Sequence, residues 1–370
     1  MQLAPALLEH WMREYYFDLE IDIGSSGVGN LSFAELRKLV QITHEEIDAI
    51  VFKDSTTLGQ LYLRATIAER WGNGDPNYVM VTHGSSEAIY LIMSALVRPD
   101  DEIIVLDPCY QQLASIAESL KCKLKRWRLR FDQHFKPDLA ELKKLLSPYT
   151  RAVVVNFPHN PTGVSISIEE QRELINMVAE VGAYLIWDAA FADIVFKGAP
   201  LPCPNLLYER SVSIGTLSKS YGLPGLRMGW IVGPPAMLGR CAHLRDYITL
   251  HLSPLIELIA LRVIKNADIL LSLHLAEARR NLETLKKWIA EHESTVKWVP
   301  PDGGVCAFPR LCAVSDVEAF CRHLASTYSV LLVPGTCFNR PEHVRIGFGS
   351  SPKILSEGLS RLSKALREIT

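Results

Sequence analysis

Cysteine is scarce in pattern although eight are present. Cys109, Cys122, Cys203, Cys241, Cys306, Cys312, Cys321 and Cys337 form no Cys-x-x-Cys pair and keep no regular spacing. That argues against a disulfide frame and against a zinc knuckle, and it suits the reduced thiols of a cytoplasmic protein with no metal site. Charge imbalance is also lacking. A net charge of -2 gives no surface for nucleic acid or for an anionic membrane. Long apolar runs are missing as well: the most apolar stretch, Leu250 to Ile264, is broken by Glu257 and Arg262 and reads as a buried helix. The start, Met-Gln-Leu-Ala-Pro followed by Glu9, His10 and Arg13, has neither the basic opening nor the apolar core of a secretory leader. Internal repeats and low-complexity tracts are absent.

What remains is the composition of an ordinary globular protein, 48% hydrophobic and 22% charged over 370 residues. That length suggests about two or three domains. Through the middle of the chain, short β-rich runs alternate with helical patterns. Tyr78–Thr82, Glu102–Leu106, Arg151–Asn156, Tyr184–Trp187 and Ser211–Thr216 are the runs, with helical periodicity over Glu87–Val97 and Glu169–Val181. The basic cluster Lys121 to Arg130 alternates too, and reads as a strand with one solvated face. Such alternation predicts a mostly parallel sheet covered by helices on both faces, with ligands beyond the carboxyl ends of the strands. After Leu273–Glu291, a long helical stretch, come strand-like runs at Val305–Phe308, Leu331–Val333 and Val344–Phe348. These predict a smaller α/β domain, joined by the N-terminal segment.

Several chemically capable residues fall just after these strands. Lys219 sits in Thr216-Leu-Ser-Lys-Ser-Tyr-Gly-Leu-Pro-Gly-Leu-Arg227. An amine held partly neutral becomes a Schiff-base nucleophile, and hydroxyls with an arginine fork suit a phosphate. A surface lysine in a Ser/Gly loop fits the same letters. Gly84-Ser85-Ser86 is either a plain helix cap or an anion seat. Tyr110 is a half-buried tyrosine or a plate for an aromatic ring. Asn160-Pro-Thr-Gly163 is a turn. Asp188 either caps a strand or is a buried carboxylate that needs a cation. Arg345, within an apolar strand pattern, wants a carboxylate from the protein or from a substrate.

Taken together and in this order, the set resembles the pyridoxal-phosphate enzymes of the aspartate-aminotransferase fold, the class I/II aminotransferase family. The matching segments run from about Gly59 to Gly347. The resemblance implies fold type I: a mostly parallel seven-stranded sheet flanked by helices, with a smaller C-terminal α/β domain. Its implied division is 1–45 as an N-terminal segment, 46–265 as the large cofactor domain and 266–370 as the small one. It further implies pyridoxal 5'-phosphate as cofactor, and a homodimer with active sites at the interface. Lys219 would form the Schiff base and move protons, Asp188 would pair with the pyridinium nitrogen, Asn160 would donate to the ring 3'-oxygen and Tyr110 would stack on the ring. Ser85, Ser86, Thr216, Ser218 and Arg227 would hold the phosphate, and Arg345 the substrate α-carboxylate.

Two positions depart from the family pattern. Phe191 stands where a tyrosine usually donates a second hydrogen bond to the 3'-oxygen. Asp54 stands where a tyrosine often reaches the partner subunit's phosphate; a neighbouring hydroxyl would have to substitute there. The segment Glu20-Ile-Asp-Ile-Gly-Ser-Ser-Gly-Val28, with Asp188-Ala-Ala-Phe191, is similar to the capreomycidine- and enduracididine-type arginine cyclases. This narrower resemblance implies dehydration of a hydroxylated L-arginine and intramolecular guanidine addition, giving a cyclic guanidino amino acid. Glu9 and Asp54 are the candidate guanidinium contacts, with Ser25 near the substrate; a solvated helix face explains Glu9 equally well. The alternative is an ordinary aminotransferase acting on an L-amino acid and a 2-oxo acid.

Overall fold

A computed structural model describes residues 3–369; residues 1, 2 and 370, the outer ends of the two terminal segments expected above, lie outside the described residues. The N-terminal helix α1 (Leu7–Tyr15) precedes a two-residue strand β1 (Ile21–Asp22). Seven strands then form the main sheet: β2 (Val79–Thr82), β3 (Glu102–Asp107), β4 (Lys123–Arg128), β5 (Thr150–Asn156), β6 (Tyr184–Asp188), β7 (Ser211–Thr216) and β8 (Gly229–Val232). Their order is β2-β8-β7-β6-β5-β3-β4, and only β8 runs antiparallel to its neighbours. The basic cluster supplies the edge strand β4, whose residues are mostly half-buried or exposed.

Both faces of this sheet are covered, which explains why the central strands read as unbroken apolar runs. Ile104, Val153, Val155, Leu185 and Trp187 face one core with Leu174, Ile175 and Val178 of the Ile168–Glu180 helix. Ile103, Val105, Val154, Ile186, Ile214 and Ile231 face another with the Gly84–Leu96 helix. Burying a Val, Leu or Ile side chain in such layers stabilises by about 1.5–3 kcal/mol. The Ile168–Glu180 helix starts where the sequence signals it, at a reciprocal Ser167–Glu170 capping box.

Two helix starts differ from expectation. The helix expected from Glu87 begins at Gly84, so Gly84, Ser85 and Ser86 are its first turn. The stretch from Leu250 becomes helical only at Pro254, capped by Ser253, whose Oγ accepts the Leu255 N–H. Leu250 itself has φ of +58° and is exposed.

The C-terminal third carries β9 (Val296–Lys297), β10 (Cys306–Ala307), β11 (Arg310–Leu311), β12 (Val330–Leu331), β13 (Val333–Pro334) and β14 (Val344–Gly347). β14 lies between β10 and β13. β1 pairs in parallel with β12, Ile21 opposite Val330, so the N-terminal segment is part of this unit. Among the described residues, no helix is long and apolar enough to cross a membrane.

Candidate active site

Strands β5, β6 and β7 end at one crevice, and the segment after β1 crosses it. The result is a cavity of about 1210 Å³ whose wall includes Glu9, Ser25, Ser85, Ser86, Tyr110, Asn160, Asp188, Phe191, Ser218, Lys219, Arg227 and Arg345. A second cavity, about 890 Å³, lies against Trp71, Trp187 and Trp230, and Lys219, Asn160, Arg227 and Arg345 are not on its wall.

Lys219 is half-buried in the loop after β7. Desolvation, helped by the nearby Arg345 charge, lowers its pKa to about 8, so its neutral fraction near neutral pH is far larger than a free lysine's. Its Nζ donates to Ser26 Oγ at 3.2 Å. Asp188, the last residue of β6, is buried, and desolvation raises its pKa to about 6. The backbone N–H of Ala190 donates to its Oδ1 at 3.0 Å. Among the described residues no cation is hydrogen-bonded to it.

Asn156, at the end of β5, ties the Asp188 main chain to the next loop. Its Nδ2 donates to Asp188 O at 2.9 Å and its Oδ1 accepts the Asn160 N–H at 2.7 Å. Asn160 Oδ1 accepts from Arg345 Nη1 at 3.3 Å, which leaves its amide NH₂ available as a donor. His159 braces the same loop. Its Nε2 lies 2.9 Å from Pro108 O, a carbonyl that can only accept, so Nδ1 is the acceptor for the Thr162 hydroxyl at 2.8 Å. Burial lowers the His159 pKa to about 4, which keeps that neutral tautomer in place.

The expected anion seat falls on the first turn of the Gly84–Leu96 helix, where backbone N–H groups lack helical acceptors. Arg227 lies across it, donating from Nη1 to Pro224 O at 2.8 Å. Ser218 is on the cavity wall; Thr216 stands behind it, its Oγ1 3.0 Å from Ser218 Oγ. Tyr110 donates its hydroxyl to Glu9 Oε1 at 2.9 Å; burial and that carboxylate raise its pKa.

Arg345 lies on β14. It is 2% exposed, and its donors reach Gly24 O at 2.8 and 3.1 Å and Asn160 Oδ1. Among the described residues it has no hydrogen bond or ion pair to a carboxylate. Its guanidinium also lies over the Phe338 ring, 5.5 Å from the centroid, and such a buried fork without an acid has the geometry to take a carboxylate.

Glu9 lies at the cavity through α1, and Ser25 lines it. Asp54 does not reach this cavity: its side chain is 98% exposed and pairs with His251 Nε2 at 3.1 Å. The hydroxyls beside it are committed within the chain, Ser55 to Glu257, Thr56 to Gly59 O and Thr57 to Asp246. Sequence reasoning missed Ser26, Asn156 and Asp22, a further acid on the wall whose Oδ1 accepts from Gly24 N and Ser25 N. The only advance signal for Asn156 was its place at a strand end; Ser26 had none beyond adjacency to Ser25.

These residues fit the cofactor that the resemblance implies. A buried carboxylate without a cation suits a pyridinium N–H, a free amide donor suits a ring oxygen, and a helix N-terminus with an arginine suits a phosphate.

The family model described as "Aminotransferase class I and II" matches residues 27–362. The chain is 44% identical over 366 residues to the capreomycidine synthase of Streptomyces vinaceus, covering 98% of this chain and 94% of that one. It is 26% identical to an arginine–pyruvate transaminase of Pseudomonas aeruginosa, covering 92% and 89%. Among solved structures, the PLP-dependent cyclase OrfR superposes with a TM-score of 0.95 at 42% identity, covering 100% and 99%. The aspartate aminotransferase of Thermus thermophilus with maleate, at 20% identity and a TM-score of 0.88, shares the fold; it covers 98% of this chain and 97% of that one.

Proposed function

The chain belongs to the aminotransferase class I and II family, and from that premise we propose that it is a pyridoxal-phosphate-dependent cyclase acting on a hydroxylated L-arginine. Bound pyridoxal phosphate supplies an electron sink for charge developing at the amino acid's α-carbon. Asp188 would take the ring nitrogen, the Asn160 amide the 3'-oxygen, and Ser85, Ser86, Ser218 and Arg227 the phosphate, with Thr216 supporting Ser218.

The observation that carries the reading is the line from Arg345 through Lys219 to Glu9. Arg345, free of protein carboxylates, takes the substrate α-carboxylate bidentately. Lys219 Nζ removes the proton from the α-carbon and returns it, a task suited to an amine with a pKa of about 8. Glu9, on the cavity wall at α1, takes the guanidinium. In the net reaction one C–O bond breaks, its oxygen leaves as water, and one C–N bond closes the ring. No net oxidation occurs, so no amino acceptor is needed. Similarity to the Streptomyces vinaceus synthase and to OrfR supports this chemistry.

The test is incubation with hydroxyarginine and no 2-oxo acid. Loss of one water from the substrate mass supports cyclisation. Release of a keto acid, with pyridoxamine absorbance, supports transamination instead.

The enzyme is further proposed to be a homodimer. Val51, Phe52, Leu61, Tyr62, Tyr247 and Ile248 are large apolar residues left exposed on one chain. The Thr57–Asp246 and Asp54–His251 contacts tie the two segments that carry them. Covering such a surface favours self-association, and Asp54 would then stand near a second chain; light scattering tests it. Eight free cysteines support the proposed cytoplasmic location.

A further inference from the structure

Ser26 stands where the segment after β1 passes the lysine loop. The two residues are 193 positions apart, yet Lys219 Nζ donates to Ser26 Oγ at 3.2 Å. Ser26 is only 4% exposed and lines the cavity. Among the described residues, each side chain is the other's only hydrogen-bond partner.

Backbone, and not a chance rotamer, sets this contact. Val28 N donates to Lys219 O at 3.1 Å, pinning the segment to the lysine's own main chain. On the other side, a Cβ on Gly347 would lie 1.7 Å from Ser25 O, and one on Gly349 2.2 Å from Gly27 O. Only glycine at those two positions lets the segment pass this close.

We propose that the Ser26 hydroxyl is the group that holds the Lys219 amine in its proton-transferring position. The proposal rests on Lys219 being the base of the reaction. In the ammonium form the amine, largely withdrawn from water at the cavity wall, needs an acceptor, and Ser26 Oγ is the acceptor it has. The charged and titratable groups around the amine are Arg345 on β14, Glu9 on α1, Cys306 on β10 and Asp188 on β6. None of them is hydrogen-bonded to Nζ. Ser26 is therefore a positioning residue: it acts through Lys219, and a hydrogen bond to the charged form favours that form.

Three measurements on Ser26→Ala and Ser26→Thr test this. In the cofactor-free protein, the pH dependence of reductive methylation at Lys219 reports the amine directly; its midpoint should move to lower pH in S26A and return in S26T. In the holoenzyme, exchange of the α-proton of L-arginine in D₂O breaks and reforms only that C–H bond. S26A should slow exchange by roughly 10- to 100-fold, as expected for a misplaced reacting group, and S26T should restore it. The arginine Kd should stay within about twofold, because the hydroxyl binds the amine and not the ligand. Unchanged exchange overturns the proposal whatever the midpoint does, as does a loss confined to binding. If the wild-type enzyme fails to exchange the α-proton, the reading of Lys219 as base falls and this proposal falls with it. Exchange in wild type matched by S26A would overturn the role of Ser26 alone.

Discussion

The Arg227 guanidinium lies across Gly84 so closely that a Cβ on Gly84 would sit 2.5 Å from Arg227 Nη2. Gly84 also has φ of +75°, a conformation that side chains with a Cβ rarely adopt. Gly84→Ala must therefore displace either the arginine or the first turn of the helix, both parts of the anion seat. Affinity for pyridoxal phosphate should fall by about tenfold or more, the scale of one lost charge-assisted contact. Cofactor titration followed by fluorescence checks it, and an unchanged Kd would remove Arg227 from the seat.

Arg345→Lys keeps the charge but loses the fork. L-arginine should bind about tenfold or more weakly, while agmatine, which has no α-carboxylate, should bind as before. Calorimetric titration with both ligands separates the two outcomes.

Glu9→Gln removes the proposed guanidinium partner and leaves the Tyr110 contact an amide. Affinity for arginine should drop by about tenfold, and affinity for citrulline, uncharged at that end, should not. Equal effects on both ligands would return Glu9 to a structural role on α1.

Asp188 predicts a pH effect on stability in the cofactor-free protein. Its pKa in the folded state is raised, by desolvation, from 3.8 to about 6. The folded state therefore holds the proton more tightly, and this contribution is complete below pH 3.8 and lost as pH rises through about 6. Above that range Asp188→Asn should be more stable than wild type by on the order of 2–3 kcal/mol, and the gap should close toward pH 4. Urea unfolding across this range measures it. Added cofactor should reverse the order, because the pyridinium then partners the carboxylate.

Six of the seven strands were legible as short runs, the central ones because they are buried on both faces; β8 (Gly229–Val232) was not read as a strand, and the count of seven came from the family resemblance. Tyr184–Trp187 and Ser211–Thr216 are such runs, and they became β6 and β7. The helix start at Gly84 was not legible, since Gly and Ser are poor helix formers and local propensity points to Glu87. Tertiary context prevails there, and the displaced start is the turn proposed to hold the phosphate. Ser26 shows a different limit. A serine in a glycine-flanked loop carries no periodic signal, and only the fold brings it to a lysine 193 positions away. Asp54 read as a free acid for a cationic substrate, but its partner, His251, is 197 positions distant and invisible to local pattern.

The central claim is that one cavity joins a guanidino nitrogen to a side-chain carbon of the same molecule. Hydroxyarginine labelled with ¹³C in the side chain and ¹⁵N in the guanidino group should be turned over without a 2-oxo acid and followed by NMR. The account predicts a new one-bond ¹³C–¹⁵N coupling, at the carbon that lost its hydroxyl. An open-chain keto acid with the original coupling pattern would contradict it.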